Sequence, residues 1–293
     1  MEDRIFIPSS EWIYFKLYTG TKTADSILKN QLYEFISEML KNEVIDKWFF
    51  IRFSDPDFNI RLRLHLRENR NFSYLFNSFY EICNPLINNG LVWKIQCETY
   101  QREIERYGAK SIFLVEEIFF IDSEFVIKLL FQLIESNSEL QRWKLALVLI
   151  DSFLSAFSFE LMQKKELLTS IAENYKREFG FIHHNAKKQL DYKYRSYRKE
   201  IENIMSWENT DSDIIYILKD RKHAIMPIAN RLNAMEEFDD INISVKSLII
   251  SMIHMSMNRW FRLKNRLYEM VIYDFLTRYY ASEIAKRNIQ KTI

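Results

Sequence analysis

Glycine and proline are scarce in this chain of 293 residues, which contains only four of each. The glycines, Gly20, Gly90, Gly108 and Gly180, lie far apart in the sequence. Walker-type phosphate loops and GxGxxG dinucleotide turns need closely spaced glycines, because the backbone must approach the phosphates. The sequence therefore excludes ATP- and NAD-dependent enzymes of those kinds.

Cysteine is rarer still, since the chain has only Cys83 and Cys97. They have no CxxC spacing, so neither a disulfide framework nor a thiolate zinc site is indicated, and a reducing compartment is expected. The first twenty residues mix acidic and basic side chains without an apolar core, and no apolar run reaches membrane-spanning length. These absences predict a cytoplasmic protein without a membrane partner.

Charge is balanced, with 41 lysines and arginines against 40 aspartates and glutamates. We therefore predict no direct binding of nucleic acid, and any charge-based function must be local. The basic run at residues 187–199 is interpreted as the exposed face of an amphipathic helix rather than as a binding arm.

The stretch at residues 48–68, WFFIRFSDPDFNIRLRLHLRE, contains two strand-like runs around a turn. In its second run the aliphatic side chains share one parity (Ile60, Leu62, Leu64, Leu66), and the polar ones share the other (Arg61, Arg63, His65, Arg67). This alternation predicts a half-buried strand, on which Arg61 and Arg63 stand about 6.6 Å apart on one face. Such a pair can grip a carboxylate or phosphate, although a solvated outer face is the alternative.

The N-terminal part reads strand, helix, strand, strand, helix, strand, which is typical of ferredoxin-like antiparallel sheets. We predict the outer elements at residues 11–18, 23–42, 71–87 and 91–100, with Thr23 and Asp25 capping the first helix. Helical periodicity follows at residues 110–136, 139–158, 160–178, 185–206, 212–236 and 244–289. The fold class is thus α+β, a ferredoxin-like sheet packed with a larger helical lobe. We expect one domain, residues 1–293, with a β-rich half at 1–109 and a helical half at 110–293.

The helix predicted at residues 244–289 is apolar nearly all round, which indicates burial. One side carries Val245, Leu248, Ile249, Met252 and Leu263, and the other carries Ile250, Ile253, Met257 and Phe261. His254 and Asn258 are four residues apart and hence neighbours on this helix. A buried polar group that lacks a hydrogen-bond partner lowers the stability of the fold by roughly 1–3 kcal/mol. His254 is therefore a candidate for chemistry, the alternative being a core histidine bonded to a backbone carbonyl.

The other histidines have weaker claims because they lie in polar contexts (His65, His183, His184, His223). The adjacent pair His183 and His184 has no carboxylate at the spacing of metal ligands. The sequence therefore predicts no metal site.

Four ordered motifs together resemble one known family: WIYFKLYTG, WFFIRFSDP with NIRLRL, TYQREIERYGAKSIFLVEEIFFIDS, and SMIHMSMNR. They resemble the C-terminal, glutamate-eliminating domain of lantibiotic dehydratases, also found as the thiopeptide-type bacteriocin biosynthesis domain. The resemblance covers nearly the whole chain. In the full dehydratases an N-terminal domain glutamylates Ser or Thr of a precursor peptide from glutamyl-tRNA, and the C-terminal domain expels glutamate. Only the second activity is implied here.

The resemblance places the paired arginines of the family at Arg61 and Arg63, its ERYG-type arginine at Arg106 and its late histidine at His254. It also assigns Glu103 to the site, and Asn258, beside His254, is added as a substrate-binding residue.

The chain departs from the family at two positions that flank the site. Asn59 stands where histidine is usual, and Ala109 stands where a second glycine is usual. Related enzymes that form the pyridine ring of thiopeptides tend to lose the elimination arginines. Retention of the arginines therefore favours elimination.

Elimination of glutamate from its Ser or Thr ester requires removal of an α-proton, stabilisation of enolate-like charge and departure of a carboxylate. Arginines suit the second task and the binding of the glutamyl carboxylate, because they stay charged and donate in a planar fork. His254 suits proton transfer, as base or as acid. Glu103 is expected to orient an arginine or the glutamyl ammonium group. No cofactor is required.

We therefore expect a stand-alone elimination subunit that acts on a glutamylated precursor peptide made by a separate tRNA-dependent glutamylating protein. The product is dehydroalanine or dehydrobutyrine. A pyridine-forming cycloaddition enzyme and a non-catalytic peptide-binding scaffold are the alternatives, and pairing as a homodimer is left open. Arg61, Arg63, Arg106, Glu103 and His254 are predicted to converge in one concave site between the β-rich half and the last helix.

Overall fold

The computed structural model describes residues 4–134, 138–181, 184–207 and 210–292. Its strands are β1 (Ile5–Phe6), β2 (Trp12–Thr19), β3 (Ile45–Ser54), β4 (Phe58–Leu66), β5 (Val92–Glu98) and β6 (Tyr100–Gln101). Its helices are α1 (Thr23–Ile27), α2 (Tyr33–Lys41), α3 (Phe72–Asn88), α4 (Ile104–Tyr107), α5 (Ile112–Phe131), α6 (Ser138–Ala156), α7 (Leu161–Glu178), α8 (His184–Met205), α9 (Ser212–Glu237), α10 (Val245–Trp260) and α11 (Asn265–Thr292). The predicted mixture, with antiparallel strands in the N-terminal part and helices in the C-terminal part, is confirmed.

The main sheet has four antiparallel strands in the order β3-β4-β2-β5, while β1 pairs separately with β6. The alternation predicted for β4 is confirmed, since Leu62 and Leu64 are fully buried and Arg61 and Arg63 are half-buried. Because successive strand residues point to opposite faces, the sheet has one apolar face and one face that carries the arginines. A slip of one residue would turn the arginines into the core, so burial of the leucines fixes the register.

The helix predicted at residues 23–42 is continuous, and a π-helical turn (Leu28–Leu32) joins α1 to α2. The predicted capping role of Thr23 and Asp25 is wrong, because the N-cap residue is Lys22 and no side chain caps this end. The Asp25 carboxylate is buried and pairs with Arg52 and Arg262, each at 2.6 Å. The attraction of two guanidinium groups thus outweighs the backbone donors of the first turn.

The single helix predicted at residues 244–289 is wrong, because α10 and α11 are separate helices. The chain leaves α10 with Phe261 in an extended conformation, and Lys264 then adopts a left-handed φ of 53°. Arg262, between them, binds Asp25. Leu263, predicted to lie in the buried stripe, lies in this turn and is 49% exposed. Apolar periodicity continues on both sides of the turn, so the pattern alone did not indicate the break.

The chain divides into two compact units, residues 1–131 with 230–263 and residues 132–229 with 264–293. In the first unit α5 and α10 pack against β3. In the second unit α7 packs along α11, and the basic run lies on α8 with Lys188 and Lys193 exposed, as predicted. The helix that carries His254 therefore belongs to the same unit as the sheet. In the described ranges, none of the helices combines the length and the apolar character that crossing a membrane would require.

Candidate active site

Strand register places the predicted arginines among residues of three strands. On β4, Arg61 and Arg63 lie opposite Lys16 and Tyr14 of β2 and opposite Ile51 and Phe49 of β3. Cross-strand partners share one face of a sheet. We call this surface the arginine face, defined by Tyr14, Lys16, Phe49, Ile51, Arg61 and Arg63.

Arg63 is held by aromatic rings. Its guanidinium carbon lies 4.4 Å from the ring centroid of Tyr14, 5.0 Å from that of Tyr100 and 5.1 Å from that of Phe49. The Nε atom is buried and has no hydrogen-bond partner. The rings therefore orient the guanidinium without neutralising it, because a cation–π contact attracts the cation but supplies no countercharge.

Arg61 has a similar environment. Its guanidinium carbon lies 3.7 Å from the centroid of the Phe53 ring, and its Nε atom is likewise buried without a hydrogen-bond partner. Lys16, its neighbour on β2, pairs with Glu98 at 2.6 Å. The carboxylate on this side of the sheet is thus bound to the lysine rather than to the arginine.

The other arginines described in the first unit all have a carboxylate partner. The pairs are Arg4–Glu105, Arg52–Asp25, Arg67–Glu43, Arg70–Glu68, Arg102–Glu116, Arg106–Glu103, Arg231–Glu117, Arg259–Asp122 and Arg262–Asp25. Within that part of the chain, Arg61 and Arg63 alone lack one. A pair of oriented, unneutralised arginines is what a bound carboxylate requires.

Arg106 on α4 and Glu103 directly before α4 form a loose pair. Their closest atoms, Nη1 and Oε2, are 3.4 Å apart, and Glu103 is exposed. Burial raises the pKa of Tyr107 to about 12, and the charges of Arg106, Arg259 and Arg63 act in the opposite direction. The Arg106 guanidinium carbon lies 5.3 Å from the centroid of the Tyr107 ring, and that ring packs edge-on against Phe119 of α5.

His254 and Asn258 lie on α10, where Asn258 Nδ2 and His254 Nε2 are 3.3 Å apart. Both are half-exposed, whereas the residues around them, such as Ile253 and Met257, are buried. The expectation that these two positions are fully buried is therefore wrong. With Ile250 and Ser251, which are also half-buried, they form a partly exposed stripe along α10.

The C-terminal end of α10 is fixed by buried polar contacts. Arg259 Nη1 donates to Asp122 at 3.0 Å, and the Arg259 carbonyl accepts from Arg52 Nε at 2.8 Å. Burial lowers the pKa of Arg259, and the nearby Arg63 charge acts in the same direction while Asp122 opposes it. His254 lies five residues before Arg259, about 7.5 Å along the helix axis. Convergence of His254 with Arg61 and Arg63 in one cleft stays a prediction.

A second layer lies behind Arg63 and was not predicted from the sequence. Tyr100 donates to the buried Glu116 at 2.9 Å, and Arg102 binds both oxygens of Glu116 at 2.7 Å. Burial raises the pKa of Tyr100 well above its usual range, Glu116 acts in the same direction, and Arg63 opposes both. The sequence feature that could have indicated this layer is the ETYQRE segment, because Tyr100 and Arg102 are two residues apart and so point to the same side of an extended chain.

The two departures from the family pattern are Asn59, on β4, and Ala109, which follows α4 and Gly108. Asn59 is fully buried, donates to the Asp57 carbonyl at 2.8 Å and has a buried Oδ1 atom without a partner. Gly108 has a φ of 76°, and a Cβ atom there would lie 2.6 Å from Ser111 Oγ. Ala109, which follows, is half-buried. The first glycine of the motif is thus required by the backbone.

Of the remaining histidines, the structure describes the side chains of His65 and His223. His65 Nδ1 lies 2.6 Å from Asp46 Oδ1, and His223 is exposed on α9. His183 and the side chain of His184 lie outside the described residues. In the described part of the chain, no group of three or more His, Cys, Asp or Glu side chains is arranged to hold a metal ion.

Residues 12–280 match the family described as "Lantibiotic biosynthesis dehydratase C-term". The chain is 26% identical to the subtilin biosynthesis protein SpaB of Bacillus subtilis, over 98% of this chain and 27% of SpaB. It is 27% identical to the nisin biosynthesis protein NisB of Lactococcus lactis subsp. lactis, over 97% of this chain and 27% of NisB. The chain thus spans about a quarter of the length of these curated relatives.

Several solved structures share the fold. The tRNA-dependent lantibiotic dehydratase MibB of Microbispora sp. 107891 matches 96% of this chain and 29% of its own, with a TM-score of 0.75 and 18% identity. The pyridine synthase TbtD from thiomuracin biosynthesis matches 94% of this chain and 99% of its own, with a TM-score of 0.64 and 12% identity.

Proposed function

The chain belongs to the lantibiotic biosynthesis dehydratase C-terminal family, and we propose that it eliminates glutamate from glutamylated Ser or Thr of a ribosomally made precursor peptide. The activity is that of a lyase, and the product is dehydroalanine or dehydrobutyrine. The observation that carries the proposal is the pair Arg61 and Arg63, oriented on one sheet face without a carboxylate partner.

Each candidate residue has a task in this reaction. Arg61 and Arg63 bind the free carboxylate of the glutamyl group and offset the charge that develops as the Cβ–O bond breaks. His254 exchanges a proton with the reacting residue or with the departing carboxylate, and Asn258 orients its ring through their contact at 3.3 Å. Arg106, loosely tied to Glu103 at 3.4 Å, is the third cation, and Glu103 faces the glutamyl ammonium group.

The glutamylated peptide must come from another activity, since the groups named here neither activate nor transfer glutamate. MibB is described as tRNA-dependent, and we assign the glutamylation step to a tRNA-dependent protein or region of that kind. We place both steps in the cytoplasm, where aminoacyl-tRNA is made.

We also propose that the main sheet is ferredoxin-like. Across the sheet the strands stand in the order β3, β4, β2, β5, which are the second, third, first and fourth of its strands along the chain. Helices follow the first of these strands, β2, and the third, β4. This is the arrangement expected of a split βαβ pair.

Mass spectrometry of a glutamylated precursor incubated with the purified chain tests the proposal. Each elimination removes one glutamate and leaves one dehydrated residue, with no nucleotide or redox cofactor added. Recovery of unchanged glutamylated peptide after incubation with the folded, purified chain would refute it.

A pyridine-forming activity is the second candidate, because the match to TbtD spans nearly all of that synthase. A precursor already carrying dehydroalanines and azoles distinguishes the two. A pyridine-forming enzyme would join dehydroalanines of that peptide into a ring, which its fragment spectrum shows, whereas an elimination enzyme leaves that peptide unchanged.

A further inference from the structure

The two edges of the main sheet differ. On β3, the amide of Phe50 donates to Ser123 Oγ of α5 at 3.3 Å, and α5 covers this edge. On the opposite edge, β5 pairs with β2 alone. Among the described residues, no backbone or side-chain group bonds the outward-facing amides and carbonyls of residues 93–98. One edge is therefore closed and the other is open.

Open edges are usually blunted, because their free hydrogen-bonding groups pair with any available strand. β5 has no proline, and Trp93 at its start is 55% exposed. Trp93 lies where the pairing of β5 with β2 shifts register, next to the fully buried Val92, and α3, which packs against β5, exposes Tyr80 at 59% and Ile87 at 40%. The open edge is thus flanked by an apolar patch, defined by Tyr80, Ile87 and Trp93.

The same edge is continuous with the arginine face. Gln96 and Glu98 of β5 pair with Lys16 and Tyr14, so these two side chains of β5 lie on the arginine face. A strand added outside β5 would stand three strand spacings, about 14 Å, from β4. A glutamyl ester on the added strand and the long side chain of Arg61 or Arg63 on β4 together span that distance.

We propose that an extended segment of the precursor peptide binds the outer edge of β5 as a fifth strand. Alternate side chains then face the apolar patch and the arginine face, and a glutamylated Ser or Thr of the second set meets Arg61 and Arg63, whereas Lys16 stays paired with Glu98. The free glutamyl carboxylate complements this positive surface, which identifies the occupant as the substrate peptide. The inference rests on the proposed function and specifies how that site selects an extended peptide.

Backbone N-methylation of the peptide tests the main-chain pairing. The probe is a peptide that spans β5 and carries one glutamyl amide in place of the ester, so that it binds without elimination. Only every second amide of an added strand faces β5. A methyl group on an amide that faces β5 should therefore raise the dissociation constant about fivefold. A methyl group on an amide that faces away from β5 should leave the dissociation constant unchanged. A profile without this period overturns the proposal.

Trp93→Ala tests the apolar patch in the full chain. Its KM for the glutamylated peptide should rise about fivefold with kcat unchanged, as expected when an exposed aromatic anchor is removed. Tyr192→Ala, at a residue that is 74% exposed on α8, is the matched control and should leave KM unchanged. An unchanged KM in Trp93→Ala contradicts the docking surface. So does a dimer in which two copies of this chain pair through β5, if the peptide fails to separate them.

A small probe separates this inference from the proposed function. O-glutamyl-serine with blocked termini cannot form a strand, so wild type and Trp93→Ala should eliminate its glutamate at equal rates. If neither the small probe nor the peptide is turned over, the proposed function fails. Turnover of both with a KM insensitive to Trp93 and to N-methylation overturns the strand pairing alone.

Discussion

Arg63 lies over the ring of Tyr14, its cross-strand partner, with 4.4 Å between the guanidinium carbon and the ring centroid. Tyr14 is buried, so the ring is a fixed platform. A cation–π contact contributes roughly 0.5–2 kcal/mol and leaves the charge intact. The relationship therefore positions Arg63 for an incoming carboxylate at little cost to its charge.

Arg63→Lys should leave the fold intact and stop the reaction at the glutamylated peptide. Lysine keeps the charge but has neither the planar fork for bidentate binding nor the flat group that stacks on Tyr14. We expect elimination to slow by about 10²-fold or more, the effect of losing one preorganised charge-stabilising donor. The ratio of glutamylated to dehydrated peptide in a timed mass spectrum measures it.

Arg67→Lys is the matched control for that variant. Arg67 follows β4 directly, is exposed and pairs with Glu43 at 2.8 Å. Its replacement should leave both the rate and the melting temperature unchanged. Equal rates for the two variants would remove Arg63 from the reaction.

His254→Asn should slow elimination by about 10²–10⁴-fold with little change in melting temperature. Asparagine keeps polarity and approximate shape but does not exchange a proton near neutral pH. The half-exposed position of His254 argues against a large loss of stability. His223→Asn, at an exposed position on α9, is the control. A lowered melting temperature with an unchanged rate per folded molecule would make His254 a structural residue.

The order of the elements and the alternation of β4 were predictable from the sequence because both are local. Period two in residues 60–66 reports directly which side chains are buried, and packing of Leu62 and Leu64 enforces it. The stacking of Arg63 between Tyr14 and Tyr100 was not predictable, because it depends on strand order.

Asp25 shows why the remaining features were missed. In sequence it is an acidic residue at a helix start, where capping is the usual role. In the fold its carboxylate is buried between Arg52 and Arg262, which is 237 residues away. That same contact lies in the turn between α10 and α11, so one long-range ion pair accounts for both the wrong cap and the wrong single helix.

Tyr107→Phe should change the alkaline stability of the protein. The Tyr107 hydroxyl is buried without a hydrogen-bond partner, and burial raises its pKa from 10.0 to about 12. Below pH 10 both the folded and the unfolded states keep this proton. Between pH 10 and 12 the unfolded state loses the proton while the folded state retains it, so wild type loses stability.

The variant has no such proton and should gain stability relative to wild type across that window. At neutral pH it should be equal or slightly more stable, since an unpaired buried hydroxyl is removed. Urea unfolding at pH 7 and pH 11 measures the difference, with Tyr216→Phe, at an exposed position on α9, as control. A difference that does not change with pH would mean that Tyr107 is not shielded as described.

Asp25→Asn should lower the free energy of unfolding by about 3–5 kcal/mol, because it leaves the buried guanidinium of Arg52 and the half-buried one of Arg262 without their shared countercharge. Arg52 Nε holds the last turn of α10 through the Arg259 carbonyl, so loosening Arg52 should also displace α10 and slow elimination through His254. The control is Glu43→Gln, which breaks an exposed pair with Arg67 and should cost about 0–1 kcal/mol. The measurement is the urea midpoint of unfolding and the elimination rate of each variant, compared with those of wild type. Equal small losses would mean that the Asp25 cluster does not hold α10 in place.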